Sequence, residues 1–373
     1  MNIVPFKIEE YFTQYEFSVR YMMGSSDPES FTLSELVAMA DPESLALWNQ
    51  LPLGYTEYYG LPLLRAEISQ LYSDLDQNHI LVYSGAEEAI YITMQVLLKP
   101  NDHVVVVTPC YNSLKEVAKA VGARVTEMPL NCQNECWSLD LEKFSSLVTD
   151  QTKLIIINFP HNPTGFLPDL KTFQSIIEIA RRHNTYLFSD EVFRLSERNP
   201  QDRLPNAVDY YEKALSLGVM SKSFGLPGLR IGWVASHMQN LLRDFGSYKN
   251  YTSMCNSAPS EILALIALRN KEQILKRVQG ITQHNLDLLD KYFHRYPEVY
   301  QWERPRAGFV GFPKLKLKIN IETFAKKFIE AENVLIVPDT MFDYSDNRFR
   351  IGYGRRYFVE TLAKLERFTK RFL

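Results

Sequence analysis

At 373 residues and 46% hydrophobic content, the chain can form two sizeable cores, a size that favours two or three domains. A formal net charge of -3 gives no global basic field for nucleic acid, no apolar run approaches the ~20 residues that span a bilayer, and the opening MNIVPFKIEE lacks the charged-then-apolar build of a signal peptide. Four sparse cysteines, Cys110, Cys132, Cys136 and Cys255, offer neither a secreted scaffold nor a two-residue redox spacing, so reduced thiols are expected and, with no span or signal peptide, a cytoplasmic location.

Along the chain, apolar runs alternate with helical patterns. ILVY (80–83) leads straight into a helix over 86–98, and VVVV (104–107), RVTEM (124–128), LIIIN (154–158), YLFSD (186–190), ALSLGV (214–219) and RIGWVA (230–235) follow. Seven strands with intervening helices predict an α/β fold with a mostly parallel sheet covered on both faces. After about residue 260 the pattern changes to long amphipathic helical stretches, such as EILALIALRNKEQILKRVQGITQHNLDLLDKYF (261–293), and a short strand-like tail. The expected organisation is an N-terminal arm (1–45) joining the smaller domain, a large domain (46–265) and a smaller α+β C-terminal domain (266–373).

The stretch VMSKSFGLPGLRIGW (219–233) places Lys222 and Arg230 in apolar, glycine-punctuated surroundings where strands meet a loop. Burial or a neighbouring cation lowers a lysine pKa, Arg230 is a candidate neighbour, and Lys222 is therefore a Schiff-base candidate. Asp190 ends an apolar run, at the strand end where open α/β sheets bind ligands; a helix N-cap is the plainer role for it. Ser84, Gly85, Ala86 and Glu87 form a turn into a helix whose free N–H groups would face an anion. Tyr111 suits either a core or a stacking platform. Arg350, between Phe349 and Ile351, needs an anion: a substrate carboxylate, or an internal pair with Asp343 or Asp346. His161 is a loop hydrogen-bonder or a substrate contact. No dinucleotide glycine motif, P-loop or H-E-x-x-H occurs, so no metal site is expected, and Asp244-Phe245-Gly246 is a chance match to a kinase triplet.

Taken together, these segments resemble fold-type I pyridoxal phosphate enzymes, the aspartate aminotransferase superfamily, most closely its class I/II aminotransferase branch. VMSKSFGLPGLR is similar to the family's lysine motif, NFPHNPTG (158–165) to its asparagine loop, SDEVFR (189–194) to its aspartate segment, YSGAEEAIY (83–91) to its phosphate-binding turn, PCYN (109–112) to its stacking-aromatic segment and FRIGYG (349–354) to its carboxylate-binding motif. The resemblance implies that Lys222 carries the cofactor and that Asp190 pairs with its ring nitrogen. It further gives Tyr111 the ring face, Asn162 the phenolic oxygen and a place beside the substrate, and Arg350 the substrate carboxylate. Ser84 to Glu87, Ser221 and Arg230 would serve the phosphate. Tyr55, in YTEYYGLPLLR (55–65), resembles the tyrosine that reaches the phosphate of the other subunit, implying an obligate homodimer with active sites at the interface.

Three positions depart from the family pattern. Phe193 stands where a tyrosine usually donates to the phenolic oxygen, Val219 stands where a serine or threonine usually binds phosphate, with Ser221 and Ser223 as candidate substitutes, and MGSSDPES (23–30) only loosely resembles the substrate-covering loop. The implied activity is amino-group transfer between an amino acid and a 2-oxo acid through a Lys222 Schiff base. Phe193 also suits relatives that eliminate, cyclise or oxidise, as capreomycidine synthase-like proteins do. A non-catalytic cofactor-binding regulator is a third reading, disfavoured because no extra N-terminal domain of roughly a hundred residues is present.

Overall fold

Successive side chains of a strand point to opposite faces, so a strand covered on both faces must be apolar throughout. A computed structural model describes residues 3–133 and 136–373 and shows this in a seven-stranded sheet. Its strands are β1 (Ile80–Tyr83), β2 (His103–Thr108), β3 (Arg124–Pro129), β4 (Thr152–Asn158), β5 (Tyr186–Asp190), β6 (Ala214–Val219) and β7 (Gly232–Ala235). The order is β1-β7-β6-β5-β4-β2-β3, parallel except for β7, which runs antiparallel to both neighbours. Val105 and Val107 of β2 with Ile155 and Ile157 of β4 pack into one apolar cluster, while Val104, Val106, Leu154 and Ile156 pack into the other. All seven expected strands form, and the α/β class holds.

Helix α1 (Lys7–Tyr15) docks Ile8 into the first cluster, and α2 (Ala86–Leu97) buries Ile90, Ile92 and Met94 in the second. The stretch expected to be one amphipathic helix over 261–293 is instead two helices, Ala258–Arg269 and Lys271–Arg295. The reason is Asn270, whose side-chain Nδ2 donates to the carbonyls of Met39 at 3.0 Å and Ile266 at 2.8 Å, competing with helical continuation. The first of the pair is not amphipathic, because Ile262 to Leu268 are buried without a break. The second begins in the first cluster at Ile274 and ends, with Leu286, Leu289 and Phe293, in a third cluster. That third cluster also takes in Tyr21 and Met23, and Tyr21–Met22 pairs in parallel with Val334–Leu335.

The N-terminal segment is pinned to the strand Phe349–Gly352 by close backbone approach. Gly352 N–H donates to the Met23 carbonyl at 2.6 Å, and a Cβ on Gly352 would lie 1.9 Å from the Ser25 carbonyl oxygen. Only glycine fits there. Gly352→Ala is expected to destabilise the fold by about 1–3 kcal/mol or more, as overpacking does, read as a lower midpoint in urea unfolding. An unchanged midpoint would mean that the two segments part at little cost.

Candidate active site

The carboxyl ends of the parallel strands and the amino end of antiparallel β7 share one edge of the sheet. A cavity of about 460 Å³ opens there. Ala86 and Glu87 line it from the start of α2, Tyr111 from the loop after β2, Asn162 from the loop after β4, and Asp190 and Phe193 from the end of β5. Ser221 and Lys222 follow β6, Arg230 precedes β7, and Arg350 enters from the strand Phe349–Gly352.

Arg350 is only 1% exposed. Its Nε donates to the Gly24 carbonyl at 3.0 Å and its Nη1 to Asn162 Oδ1 at 3.2 Å, while Nη2 is buried without a partner. The alternative of an internal ion pair is overturned: Asp343 binds Lys7 and Lys115, and Asp346 binds Lys314 and Arg348. Burial draws the Arg350 pKa down to about 10. A buried guanidinium with an idle N–H is a site for an anion.

Lys222 Nζ donates to Ser26 Oγ at 2.8 Å and lies 5.8 Å from the centre of the Phe193 ring. Burial lowers its pKa; Asp27 opposes this and Arg350 adds to it. Arg350 is thus the leading cation acting on Lys222, ahead of the Arg230 expected from the sequence. Asp190 accepts from the Val192 N–H at 3.1 Å, and burial pushes its pKa up to about 7. Burial also pushes Glu87 up to about 7, with the Ser113 hydroxyl opposing. Asp190 caps no helix; a turn follows it. The Tyr111 hydroxyl donates to Glu9 Oε1 at 2.9 Å.

Gly85, with φ of 98°, adopts a backbone conformation that favours glycine, and a Cβ there would come within 2.5 Å of Arg230 Nη2. Its helix carries no side-chain N-cap, leaving the first N–H groups of α2 to meet an anion beside Arg230. Ser84 does not line the cavity; its N–H donates to Glu88 Oε2 at 2.7 Å. Tyr55 is 90% exposed and lies outside this chain's cavity. Ser223 is corrected as a phosphate substitute for Val219, because its hydroxyl donates to the Arg194 carbonyl and borders a different cavity. His161 likewise lies off the cavity: its Nδ1 meets Thr164 Oγ1 at 2.7 Å, and burial lowers its pKa to about 3.

Sequence reasoning missed Asn158, whose Nδ2 donates to the Asp190 carbonyl at 2.9 Å and whose Oδ1 accepts from the Asn162 N–H at 2.9 Å. It ties two loops of the site together; an amide closing the apolar run LIIIN was the available signal. Glu9, Phe12 and Glu16, and the loop residues Ser26 and Asp27, also line the cavity. Their signal was the spacing of 9, 12 and 16, which puts all three on one helical face. Among the described residues no cluster suits a metal ion, no helix is long and apolar enough to cross a membrane, and all four cysteines are free.

The family model for class I and II aminotransferases matches residues 23–364. The chain belongs to that family. It is 27% identical over 350 residues, covering 93% of this chain and 88% of the other, to capreomycidine synthase of Streptomyces vinaceus. It is also 27% identical over 370 residues, 95% of this chain and 94% of the other, to a probable aspartate aminotransferase of Methanocaldococcus jannaschii. The crystal structure of a PLP-dependent aminotransferase from Streptococcus suis matches with a TM-score of 0.94 at 31% identity, covering 100% of this chain and 99% of that one. The chain is accordingly a fold-type I aminotransferase that uses pyridoxal phosphate. The residues present fit that cofactor: the Gly85 cradle beside Arg230 suits a phosphate, Asp190 a ring nitrogen and Lys222 an aldehyde.

The raised pKa of Asp190 has a consequence for stability. Its ordinary value is 3.8 and its folded value about 7, so between them the folded chain holds a proton that the unfolded chain does not. Cofactor-free protein should therefore lose stability as pH rises through this window. Asp190→Asn cannot ionise and should be more stable than the parent at pH 8, on the order of 1–3 kcal/mol, with the gap closing towards pH 4. Urea unfolding of both cofactor-free proteins across that range checks it; parallel pH profiles would contradict it.

Proposed function

We propose that the enzyme moves an amino group between an amino acid and a 2-oxo acid, with Lys222 as the residue that holds the cofactor and afterwards carries the substrate's α-proton. Bound pyridoxal phosphate supplies an electron-withdrawing ring that stabilises negative charge at the substrate's α-carbon. Lys222 suits the proton transfer because burial favours its neutral amine, which can act as a base. Asp190, ionised once a cationic ring nitrogen faces it, keeps that nitrogen protonated. Asn162 turns Oδ1 to Arg350, which leaves Nδ2 as the end that can donate to a phenolic oxygen. Tyr111 gives the ring a face to stack on, Phe193 gives the site an apolar wall without a hydroxyl, and Ser221, Arg230 and the Gly85–Glu87 turn hold the phosphate.

The observation that carries this reading is the unpartnered Nη2 of buried Arg350, which lines the same cavity as Lys222 and awaits a carboxylate. Arg350→Ala is expected to raise the amino-acid KM about a hundredfold, as loss of a charged bidentate contact does, with cofactor content unchanged. Arg230→Ala should instead lose cofactor, measured by absorbance after dialysis. The reverse pattern would exchange the two roles.

The division into arm (1–45), large domain (46–265) and small domain (266–373) is part of the same proposal; the shared third cluster of Tyr21, Met23 and C-terminal residues supports it. We further propose a homodimer in the cytoplasm, with Tyr55 of each subunit reaching the phosphate of the other. Leu53 at 85%, Tyr55 at 90% and Tyr251 at 90% exposure supply apolar surface for such an interface. A second reading, elimination or cyclisation of an amino acid, draws on Phe193 and on the similarity to capreomycidine synthase. Mixing holoenzyme with single amino acids and no acceptor separates the two. Amino transfer releases at most one 2-oxo acid per site and retains the nitrogen on the protein. Steady release of ammonia or a cyclised product would favour the second reading.

A further inference from the structure

We propose that the preferred amino acid carries a positive charge at the end of its side chain, and that Glu9 and Glu16 receive that charge. The inference rests on the amino-acid reading of the site given above. Glu9 and Phe12 in α1 and Glu16, the residue that closes it, fall at positions i, i+3 and i+7, so one helical face turns all three to the cavity. Phe12 stands next to the carboxylate site, with its ring centre 5.8 Å from Arg350 Cζ. A substrate anchored by its carboxylate on Arg350 would therefore run its side chain along Phe12 and between two carboxylates.

Glu9, Glu16 and Asp27 supply three negative groups at this rim; Arg355 binds Asp27, and Arg350 and Lys222 act on Glu9 and Asp27 from deeper in the cavity, leaving Glu16 without a bonded cation. Glu9 is held on one oxygen by the Tyr111 hydroxyl at 2.9 Å, which orients its carboxylate, and it makes no ion pair among the described residues. The Glu16 carboxylate has no hydrogen bond or ion pair among the described residues. Glu16 is solvent-exposed at the cavity mouth; partial loss of water and then the negative charges of Glu9 and Asp27 raise its pKa, with Arg355 opposing. At the inner end of the same cavity the buried Arg350 Nη2 has no partner among the described residues, so a ligand that fills the cavity meets a cation first and the two carboxylates beyond it.

The same arrangement disfavours an acidic side chain. A dicarboxylic amino acid needs a second free cation, yet Arg355 is engaged by Asp27, and Arg198 donates to the Gly308 carbonyl and lies over the Tyr353 ring. A guanidinium or ammonium group instead gains two carboxylates, and its aliphatic stem gains the Phe12 face.

The test compares L-arginine with L-citrulline, its neutral isostere, and with L-aspartate, on holoenzyme. Binding is read by calorimetry, and the release of 2-oxo acid by kcat/KM. L-Arginine is expected to bind at least about tenfold more tightly than L-citrulline, with L-aspartate weakest. Glu16→Gln and Glu9→Gln should each move the arginine-to-citrulline ratio towards one, mainly through KM, whereas a merely structural role would lower both substrates alike. A ratio near one in the parent enzyme, or a preference for L-aspartate, overturns the inference while amino transfer still stands. Preferential binding of L-arginine with no 2-oxo acid released upholds it and removes the transfer reading instead.

Discussion

The guanidinium of Arg350, buried with one nitrogen idle, is the constraint on which the rest of the site depends. Leaving a buried charge uncompensated costs about 3–5 kcal/mol, so the chain must fix its surroundings or expel it. It fixes them. The Gly24 carbonyl takes Nε, and that carbonyl is held in place because Gly352 lets the N-terminal segment lie against the strand that carries Arg350. Asn162 takes Nη1, Asn158 holds the Asn162 backbone, and the same Asn158 holds the Asp190 carbonyl. One chain of contacts thus links the Arg350 guanidinium to the acid at the end of β5.

The site keeps further charges short of partners. Among the described residues, the buried Asp190 carboxylate accepts one hydrogen bond, from the Val192 N–H, and Lys222 donates one, to the Ser26 hydroxyl. Each shift follows the same rule: burial penalises the charged form, raising the acid and lowering the amine and the guanidinium. A cofactor with a cationic ring nitrogen, an aldehyde and a phosphate, together with an amino acid, offers a complement to every one of these groups. Stability withheld from the empty fold becomes binding energy, which is where local rules of good packing are expected to fail.

Much of this was legible in the sequence. Most of the seven strands could be read because both-face burial writes them as apolar runs, the edge strand β3 being the exception, and Lys222, Asp190 and Arg350 stand out as polar residues at the ends of or within such runs. What could not be read depends on distant parts of the chain. Asn270 breaks a helix by bonding to the Met39 carbonyl, a contact no local period reveals. Ser223 sits one residue from Lys222, yet its hydroxyl turns to Arg194. Glu9, Phe12 and Glu16 face the cavity only because α1 folds back across more than three hundred positions towards Arg350. Spacing makes Arg230 the candidate neighbour of Lys222, but the leading cation, Arg350, arrives from the far end of the sequence.

Under the proposed function this cavity seats pyridoxal phosphate with its aldehyde at Lys222. The most direct measurement is borohydride reduction of the holoenzyme followed by peptide mapping by mass spectrometry. A single pyridoxyl group on the peptide containing Lys222, lost in Lys222→Ala, is the result expected. Attachment to a different lysine, such as Lys249 or Lys115, would contradict the account.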